Sequence, residues 1–296
     1  MIEVSHVTKK YGNHVALDDV SFTAPDGEIT AFLGNNGAGK STTLRIITGL
    51  DTPTSGTATI DGVPYAMIPR PLTKVGSLLD AGVVNPNRSA YDYMKILCLS
   101  HGLAGDNIDE LLDMVGLGQV KKKPVGEFSL GMHQRLGIAG VLVSDPTHVI
   151  LDEPTNGLDP DAIHWVRTLV KTLSEQGKTV LMSSHQLSEV AHVADNVVII
   201  DEGVVKHDST MDELYKTYQK SGSIVHSDND TLLADNLRTM GGNITADGDN
   251  MVVDNLTPEQ VGDVARTCGV ALRLLQDRTT TLEDIFFQVT GKAGGQ

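Results

Sequence analysis

Nine consecutive residues, Gly34-Asn35-Asn36-Gly37-Ala38-Gly39-Lys40-Ser41-Thr42, restrict what this chain can fold into more than any other stretch. They fill every position of GxxxxGK[ST]. Before them lies the apolar run Ile29 to Leu33, and after them Ser41 to Thr48, where Leu44 and Ile47 keep helical spacing up to the stop at Gly49. Strand, glycine loop and helix in that order make a phosphate cradle. The glycines let successive backbone N–H groups turn inward around a phosphate, and the helix N-terminus adds positive potential. Lys40 is expected to reach the β- and γ-phosphates, Ser41 to offer its hydroxyl to Mg²⁺, and Thr42 to hold the α-phosphate. A plain glycine turn before a helix needs neither the lysine nor the hydroxyl, so the chain is read as binding a nucleoside triphosphate. Many NTPase classes share this loop, and it does not choose among them.

The rest of the chain reads as α/β. Val4, Val7, Val15, Leu17, Val20 and Phe22 punctuate β-prone sequence, and residues 51–62 suggest a turn and a further strand. From about Thr73 to Gly140, Tyr91, Met94, Leu97 and Cys98, then Ile108, Leu111, Leu112 and Val115, keep helical periods, so a mostly helical insertion is expected. Val149 to Leu151, Thr179 to Met182 and Val197 to Ile200 read as buried parallel strands, alternating with helices over Asp161 to Glu175 and Leu187 to Ala194. Beyond about Met211 the order β-α-β-β-α-β suggests a small ferredoxin-like module. In it a hairpin turns at Asp247-Gly248, and a helix opens on the capping box of Thr257 and Gln260. No internal repeat stands out.

Val149-Ile150-Leu151 runs into Asp152-Glu153-Pro154. At a strand tip Asp152 can orient Mg²⁺ through water, and Glu153 can address an attacking water as general base. Two solvated acids would look the same in isolation; the complete phosphate loop upstream favours the chemical reading.

Composition limits the partners. A net charge of −15 over 296 residues, with Lys121-Lys122-Lys123 the one tight basic run and read as a solvated loop, argues against nucleic acid. The two cysteines, Cys98 and Cys268, show no ligand or disulfide spacing, and His133, His148, His164 and His192 are scattered. Trp165 falls on a helical face with Val166, Leu169 and Val170 and is expected to pack. No apolar run approaches the ~20 residues that span a bilayer, so the chain is expected to be cytoplasmic.

Taken in order, these motifs resemble the ATP-binding subunit of an ABC transporter over residues 2–210. Asp152 to Pro160 is similar to the family's fused Walker B and D-loop, which carries Asp159. Ser183-Ser184-His185 resembles the switch segment and would put His185 near the γ-phosphate. Lys10-Tyr11-Gly12 resembles the A-loop, with Tyr11 stacking on adenine. Phe128 to Arg135, FSLGMHQR, occupies the place of the family's LSGGQ signature. Ser129 and Gly131 keep the two contact positions there, while Leu130 and Met132 replace a glycine and a glutamine. Asp80, after the strand at Val75 to Leu79, stands where the family has its Q-loop glutamine; it accepts but cannot donate, so metal preference could differ.

The resemblance implies a P-loop NTPase core of ABC type with a helical subdomain (about 73–140) in residues 1–210, and a small α+β domain in 211–296. It implies ATP and Mg²⁺ as ligands, with Glu153, His185 and Lys40 catalytic and Ser41, Asp152 and Asp80 near the metal. Two copies would close on two ATP molecules and drive a separate transmembrane permease from the inner face of the cell membrane. The SLGM signature resembles that of bacterial exporters, including bacitracin and lantibiotic self-protection systems. The closing TLEDIFFQVTG resembles the last helix of drug- and polyketide-exporter ATPases, or is an ordinary docking helix. A soluble ABC-type ATPase acting on ribosomes or DNA is the alternative, set back by the single phosphate loop and the lack of a heptad run. A regulatory ATP sensor is disfavoured because Lys40, Asp152, Glu153 and His185 are all present.

Overall fold

The computed structural model describes residues 1–80, 84–218, 222–278 and 280–291. It divides into two compact units, Met1–Met211 together with Val289–Gly291, and Asp212–Gln288.

In the first unit β1 (Ile2–Tyr11) and β2 (His14–Ala24) form a hairpin, followed by β3 (Ile29–Leu33), α1 (Lys40–Ile47) and β4 (Ser55–Ile60). Then come β5 (Val75–Leu78), α2 (Ala90–Ser100), α3 (Ile108–Met114), α4 (Leu130–Leu142) and β6 (His148–Leu151). The unit continues with α5 (Pro160–Glu175), β7 (Thr179–Ser184), α6 (Leu187–Val190), β8 (Asn196–Asp201) and β9 (Val204–Thr210). A six-stranded sheet has the order β5-β6-β7-β3-β8-β9, parallel except for the edge strand β9. A three-stranded antiparallel sheet, β2-β1-β4, shares a core with it.

The local sequence accounts for this division. Strands β3, β6, β7 and β8 are buried at every position, as parallel strands covered on both faces must be. In β1 the buried Ile2 and Val4 flank the exposed Glu3, the alternation of a sheet with one wet face. Between the sheets, Leu44 and Ile47 of α1 pack with Val4, Val20, Phe32 and Ile200. Each fully buried side chain of this size contributes about 1.5–3 kcal/mol. Phe22 and Phe32 stack at 5.0 Å across the two sheets.

Two sequence expectations change. Val75–Leu78 pairs in parallel with β6, as the strand expected ahead of Asp80, so the helical insertion starts after β5 and not at Thr73. The helix expected over Leu187 to Ala194 closes after one turn at Val190, with Ala191 to Val193 in turns.

The sheet edge also assembles a charge cluster that spacing along the chain does not reveal. Asp26, Asp61 and the buried His148 bring carboxylate and imidazole atoms within 4.8 Å of one another. The cations that meet them are the Met1 ammonium, 2.8 Å from Asp61 Oδ1, and Lys74 Nζ, 2.8 Å from Oδ2. Burial opposes ionisation of Asp61, but bonds from Lys74 and the ammonium win and hold its pKa at about 2. A depressed folded-state pKa gives stability that is present above the unfolded value, near 3.9, and is lost as pH falls toward the folded one. The melting temperature is therefore expected to drop between about pH 4 and pH 2, and Asp61→Asn to flatten that part of the curve. An unchanged acid limb in this variant would remove Asp61 from the cluster's energetics.

The second unit contains α7 (Met211–Tyr218), which the sequence reading did not anticipate. It is followed by β10 (Gly222–Ser227), α8 (Asp230–Thr239), β11 (Asn243–Asp247), β12 (Asn250–Asp254), α9 (Pro258–Cys268), β13 (Leu272–Asp277) and α10 (Leu282–Thr290). The antiparallel order β11-β12-β10-β13 is the ferredoxin-like arrangement. Its two halves repeat at a constant spacing of 28 positions, a repeat the sequence alone did not show. Asn229 and Thr257 cap α8 and α9, buried Leu233 and Leu237 match Val261 and Ala265, and Asp235, Arg238, Thr239 and Gly241 recur as Asp263, Arg266, Thr267 and Gly269.

Candidate active site

The phosphate loop joins β3 to α1. Its Gly39 is the N-cap of α1 at φ +110°, and a Cβ there would lie 2.6 Å from Leu17 Cδ2, so only glycine fits. No side chain caps α1 and no acidic residue stands in its first turn, leaving the leading N–H groups and the positive helix end to an anion. Lys40 is 6% exposed and donates to the Gly34 carbonyl at 2.6 Å and the Asn35 carbonyl at 3.3 Å. The loop bounds a cleft of about 390 Å³, within the range of small-molecule sites. Of the predicted residues Tyr11, Asn35, Asn36, Gly37, Gly39, Lys40, Ser41, Thr42 and Glu153 line it. Gly34 lies beneath as the Lys40 acceptor, and Ala38 is buried in the loop. His14 and Ala16 also line the cleft. The signal for them is strand pairing, because His14 sits opposite Tyr11 in the β1–β2 hairpin.

The second half of the site comes from the tips of β6 and β7. The chain leaves β6 through Asp152 and turns at Glu153, which adopts φ +48°. A non-glycine residue in the left-handed region costs about 1–3 kcal/mol and persists only where the surroundings enforce it. Here they do: the Glu153 N–H donates to Ser183 Oγ at 2.9 Å, and Ser183 Oγ donates in turn to Asp152 Oδ1. Ser183 thus positions both acids. Its signal was the hydroxyl pair Ser183-Ser184 closing an otherwise apolar strand run.

The Glu153 side chain spans the cleft. Oε1 lies 3.2 Å from Lys40 Nζ, and Oε2 lies 2.6 Å from His185 Nδ1 while accepting from the His185 N–H at 3.2 Å. The Lys40 contact is an ion pair without hydrogen-bond alignment, so Oε1 is buried and accepts no hydrogen bond. A buried acceptor with spare capacity, facing a phosphate cradle, suits a base for a bound nucleophile. Ser41 in the cleft and Asp152 beside Glu153 are hard oxygen donors of the kind Mg²⁺ prefers.

At the mouth, Tyr11 is 47% exposed. Its hydroxyl donates to Asp51 at 3.1 Å, and Arg45 Nε holds the same carboxylate oxygen at 2.8 Å. Lys9 Nζ lies 4.9 Å from the Tyr11 ring centre. Burial and the Asp51 carboxylate hold the phenol above its ordinary pKa, which keeps it a donor.

Besides Gly34, Ala38, Asp152 and His185, four further predicted residues do not line the cleft. Ser129 caps α4 through a bond from the Met132 N–H at 3.3 Å, with Gly131 in the first turn. Asp159 caps α5 through the Ala162 N–H at 2.8 Å, and Asp80 follows β5 as an exposed residue. Arg135 stacks on the half-buried Trp165 at 5.0 Å and donates to the Val115 carbonyl, tying α4 to α5 and α3. No helix among the described residues is long and apolar enough to cross a membrane.

Comparison with known proteins identifies the family. A family model described as "ABC transporter" matches residues 17–156. The chain is 43% identical over 205 residues to the lantibiotic transport ATP-binding protein SrtF of Streptococcus pyogenes, covering 69% of this chain and 89% of that one. It is 33% identical over 302 residues to the bacitracin transport ATP-binding protein BcrA of Enterococcus faecalis, covering 99% and 97%. A bacterial ABC transporter cassette solved as a dimer superposes with a TM-score of 0.66 at 27% identity, covering 71% and 99%. With its phosphate loop, carboxylate strand and helical insertion in family order, the chain belongs to the ABC transporter family, as one of its ATP-binding ATPase subunits.

Proposed function

We propose that two copies of this chain enclose two Mg-ATP molecules and drive a separate membrane permease that exports a drug, antibiotic or peptide. The observation that carries the reading is the meeting of Lys40, Glu153 and His185 at the phosphate loop, at 3.2 and 2.6 Å. Gly34 to Thr42 would cradle the phosphates, with the α1 N–H groups and Lys40 supplying positive charge. Tyr11 would stack on the base, its ring held by Asp51. Glu153 would take the proton of the attacking water at Oε1, and His185 would hold the carboxylate through Oε2. Ser41 and Asp152 would hold Mg²⁺, which supplies charge compensation at the phosphate oxygens, and Asp80 would add a carboxylate near it. Ser129, Gly131 and Asp159, which do not line their own chain's cleft, would face the nucleotide of the second copy. That a structural neighbour was solved as a dimer supports the pairing of two copies. The names of SrtF and BcrA support antibiotic transport, with the chain peripheral on the inner face of the cell membrane through its permease.

The test is a tagged capture from detergent-solubilised cells of the source bacterium, with mass spectrometry of what co-purifies. A stoichiometric multi-span membrane protein is expected. ATP hydrolysis with only soluble partners would sink the permease assignment and leave the ATPase standing.

A further inference from the structure

At the end of the sheets away from the phosphate loop, three chain segments bring metal-ligating atoms to one point. Asp26 lies between β2 and β3, Asp61 follows β4, and His148 is the first residue of β6. His148 is 3% exposed, and its Nε2 lies 3.2 Å from Asp61 Oδ1 and 3.6 Å from Asp26 Oδ1. The three ligand atoms all fall within 4.8 Å of one another. Strand β6 runs from His148 to Leu151 and on to Asp152, so the cluster stands at the opposite end of that strand from the catalytic acids. It shares no residue with the nucleotide cleft.

Each of the three is oriented by a further partner. Thr147 Oγ1 donates to the Lys74 carbonyl at 3.3 Å, which leaves it to accept from the His148 ring at Nδ1, 3.0 Å away. The other ring nitrogen, Nε2, then presents a lone pair to two carboxylates. Burial holds the ring below its ordinary pKa, in this neutral form. Lys74 Nζ holds Asp61 by Oδ2 at 2.8 Å, which leaves Oδ1 to the cluster, and Thr179 Oγ1 donates to Asp26 Oδ1 at 3.2 Å. Outer partners of this kind are what orient the ligands of a metal.

Three acceptors that converge with no hydrogen to share repel one another unless a cation lies among them, and here one does. The Met1 ammonium bonds to Asp26 Oδ1 and lies 2.8 Å from Asp61 Oδ1 and 3.0 Å from His148 Nε2. Met1 stands before β1 and is 40% exposed, so it can swing aside. The spacing selects what can take its place. Ligands about 2.0–2.1 Å from a tetrahedral zinc ion stand roughly 3.3 Å apart, close to the 3.2 and 3.6 Å on either side of His148 Nε2. An imidazole among carboxylates suits zinc and its transition-metal neighbours, whereas Mg²⁺ and Ca²⁺ take oxygen ligands.

We infer that Asp26, Asp61 and His148 form a second metal site, for a divalent ion of the zinc class that takes the place of the Met1 ammonium. Three protein ligands leave the fourth position to water. The ion would cross-link the turns after β2 and β4, in the antiparallel sheet, to the start of β6 in the parallel one.

The test uses the full chain without a histidine tag, stripped with a chelator. Co²⁺ is titrated in and followed by the visible absorption of its four-coordinate form, Zn²⁺ is added to displace it, and melting temperature is read with and without Zn²⁺. One equivalent of Co²⁺ should give that absorption, and Zn²⁺ should abolish it, because Zn²⁺ binds the same donors more tightly. At a Zn²⁺ concentration 100-fold above its Kd the melting temperature should rise by about 5–10 °C. His148→Gln should lose the Co²⁺ absorption. Asp26 is exposed, so Asp26→Asn leaves the core intact; it should loosen Zn²⁺ at least ~10-fold, with ATP hydrolysis in Mg²⁺ within about twofold of the wild type. A missing four-coordinate absorption, or Zn²⁺ affinity unchanged in Asp26→Asn, overturns the inference. Zn²⁺ that is displaced by Mg-ATP would belong to the nucleotide cleft and overturns it as well.

Discussion

Glu153→Gln is expected to bind ATP within about threefold of the wild type and to hydrolyse it at least ~100-fold more slowly, the usual size of a general-base contribution. The substitution keeps the shape of the side chain and changes what Oε1 can do. In the wild type Oε1 is buried, accepts no hydrogen bond and lies 3.2 Å from Lys40, so a proton arriving there finds an empty acceptor. An amide offers either a carbonyl oxygen of negligible basicity or an N–H₂ that repels the ammonium. The other oxygen is committed to His185 on two sides, which keeps the replacement in the same rotamer. With hydrolysis blocked, the ATP-bound dimer should accumulate and be visible as a doubled mass by light scattering. Turnover within about threefold of the wild type would take Glu153 out of the base role and shift attention to His185, whose Nδ1 lies 2.6 Å from Glu153 Oε2.

What could be read before the structure follows from how local each feature is. The phosphate loop, β3, β6 and the capping box of α9 depend on residues within a few positions, and each is where the sequence places it. Features that depend on contacts distant in sequence were missed. The helical insertion was expected from Thr73, overlapping the strand expected at Val75 to Leu79, and only the pairing of Val75–Leu78 with β6 puts its start after that strand. Ser183 acquires its role because β7 brings it to Asp152 and Glu153. The repeat in the second unit was hidden because buried positions exchange Leu for Val and Ala, keeping burial while losing identity; the register became clear only from matching caps and strand order. Most instructive is Leu130. As sequence it is a departure from a motif, and as structure its Cδ2 lies 2.6 Å from where a Cβ on Gly157, at φ +71°, would stand. The substitution and the glycine that accommodates it are separated by 27 residues and meet across two turns.

Lys40→Ala carries the other large effect, and it separates two roles that the geometry leaves joined. Lys40 Nζ donates to two loop carbonyls and pairs with Glu153, so the ammonium could serve the phosphates, the carboxylate, or both. As a phosphate ligand it makes charge-assisted bonds worth about 1.5–3 kcal/mol each. Losing two of them lowers affinity by roughly 100-fold or more, at 1.4 kcal/mol per tenfold. If it only held Glu153, affinity would stay within about threefold while turnover collapsed. The expected result is the first, seen as a failed titration with a fluorescent ATP analogue in a chain whose far-ultraviolet circular dichroism is unchanged. The reason lies in the surroundings. Lys40 is buried at the N-terminus of an uncapped helix whose leading N–H groups face the same cleft, and a positive charge placed beside other donors meets Coulomb repulsion until an anion arrives. Glu153 offsets part of that repulsion from one side, at an angle that makes an ion pair and no hydrogen bond. Such a contact gives way more cheaply than an aligned one, so ATP can take the ammonium and leave Glu153 Oε1 free to accept a proton.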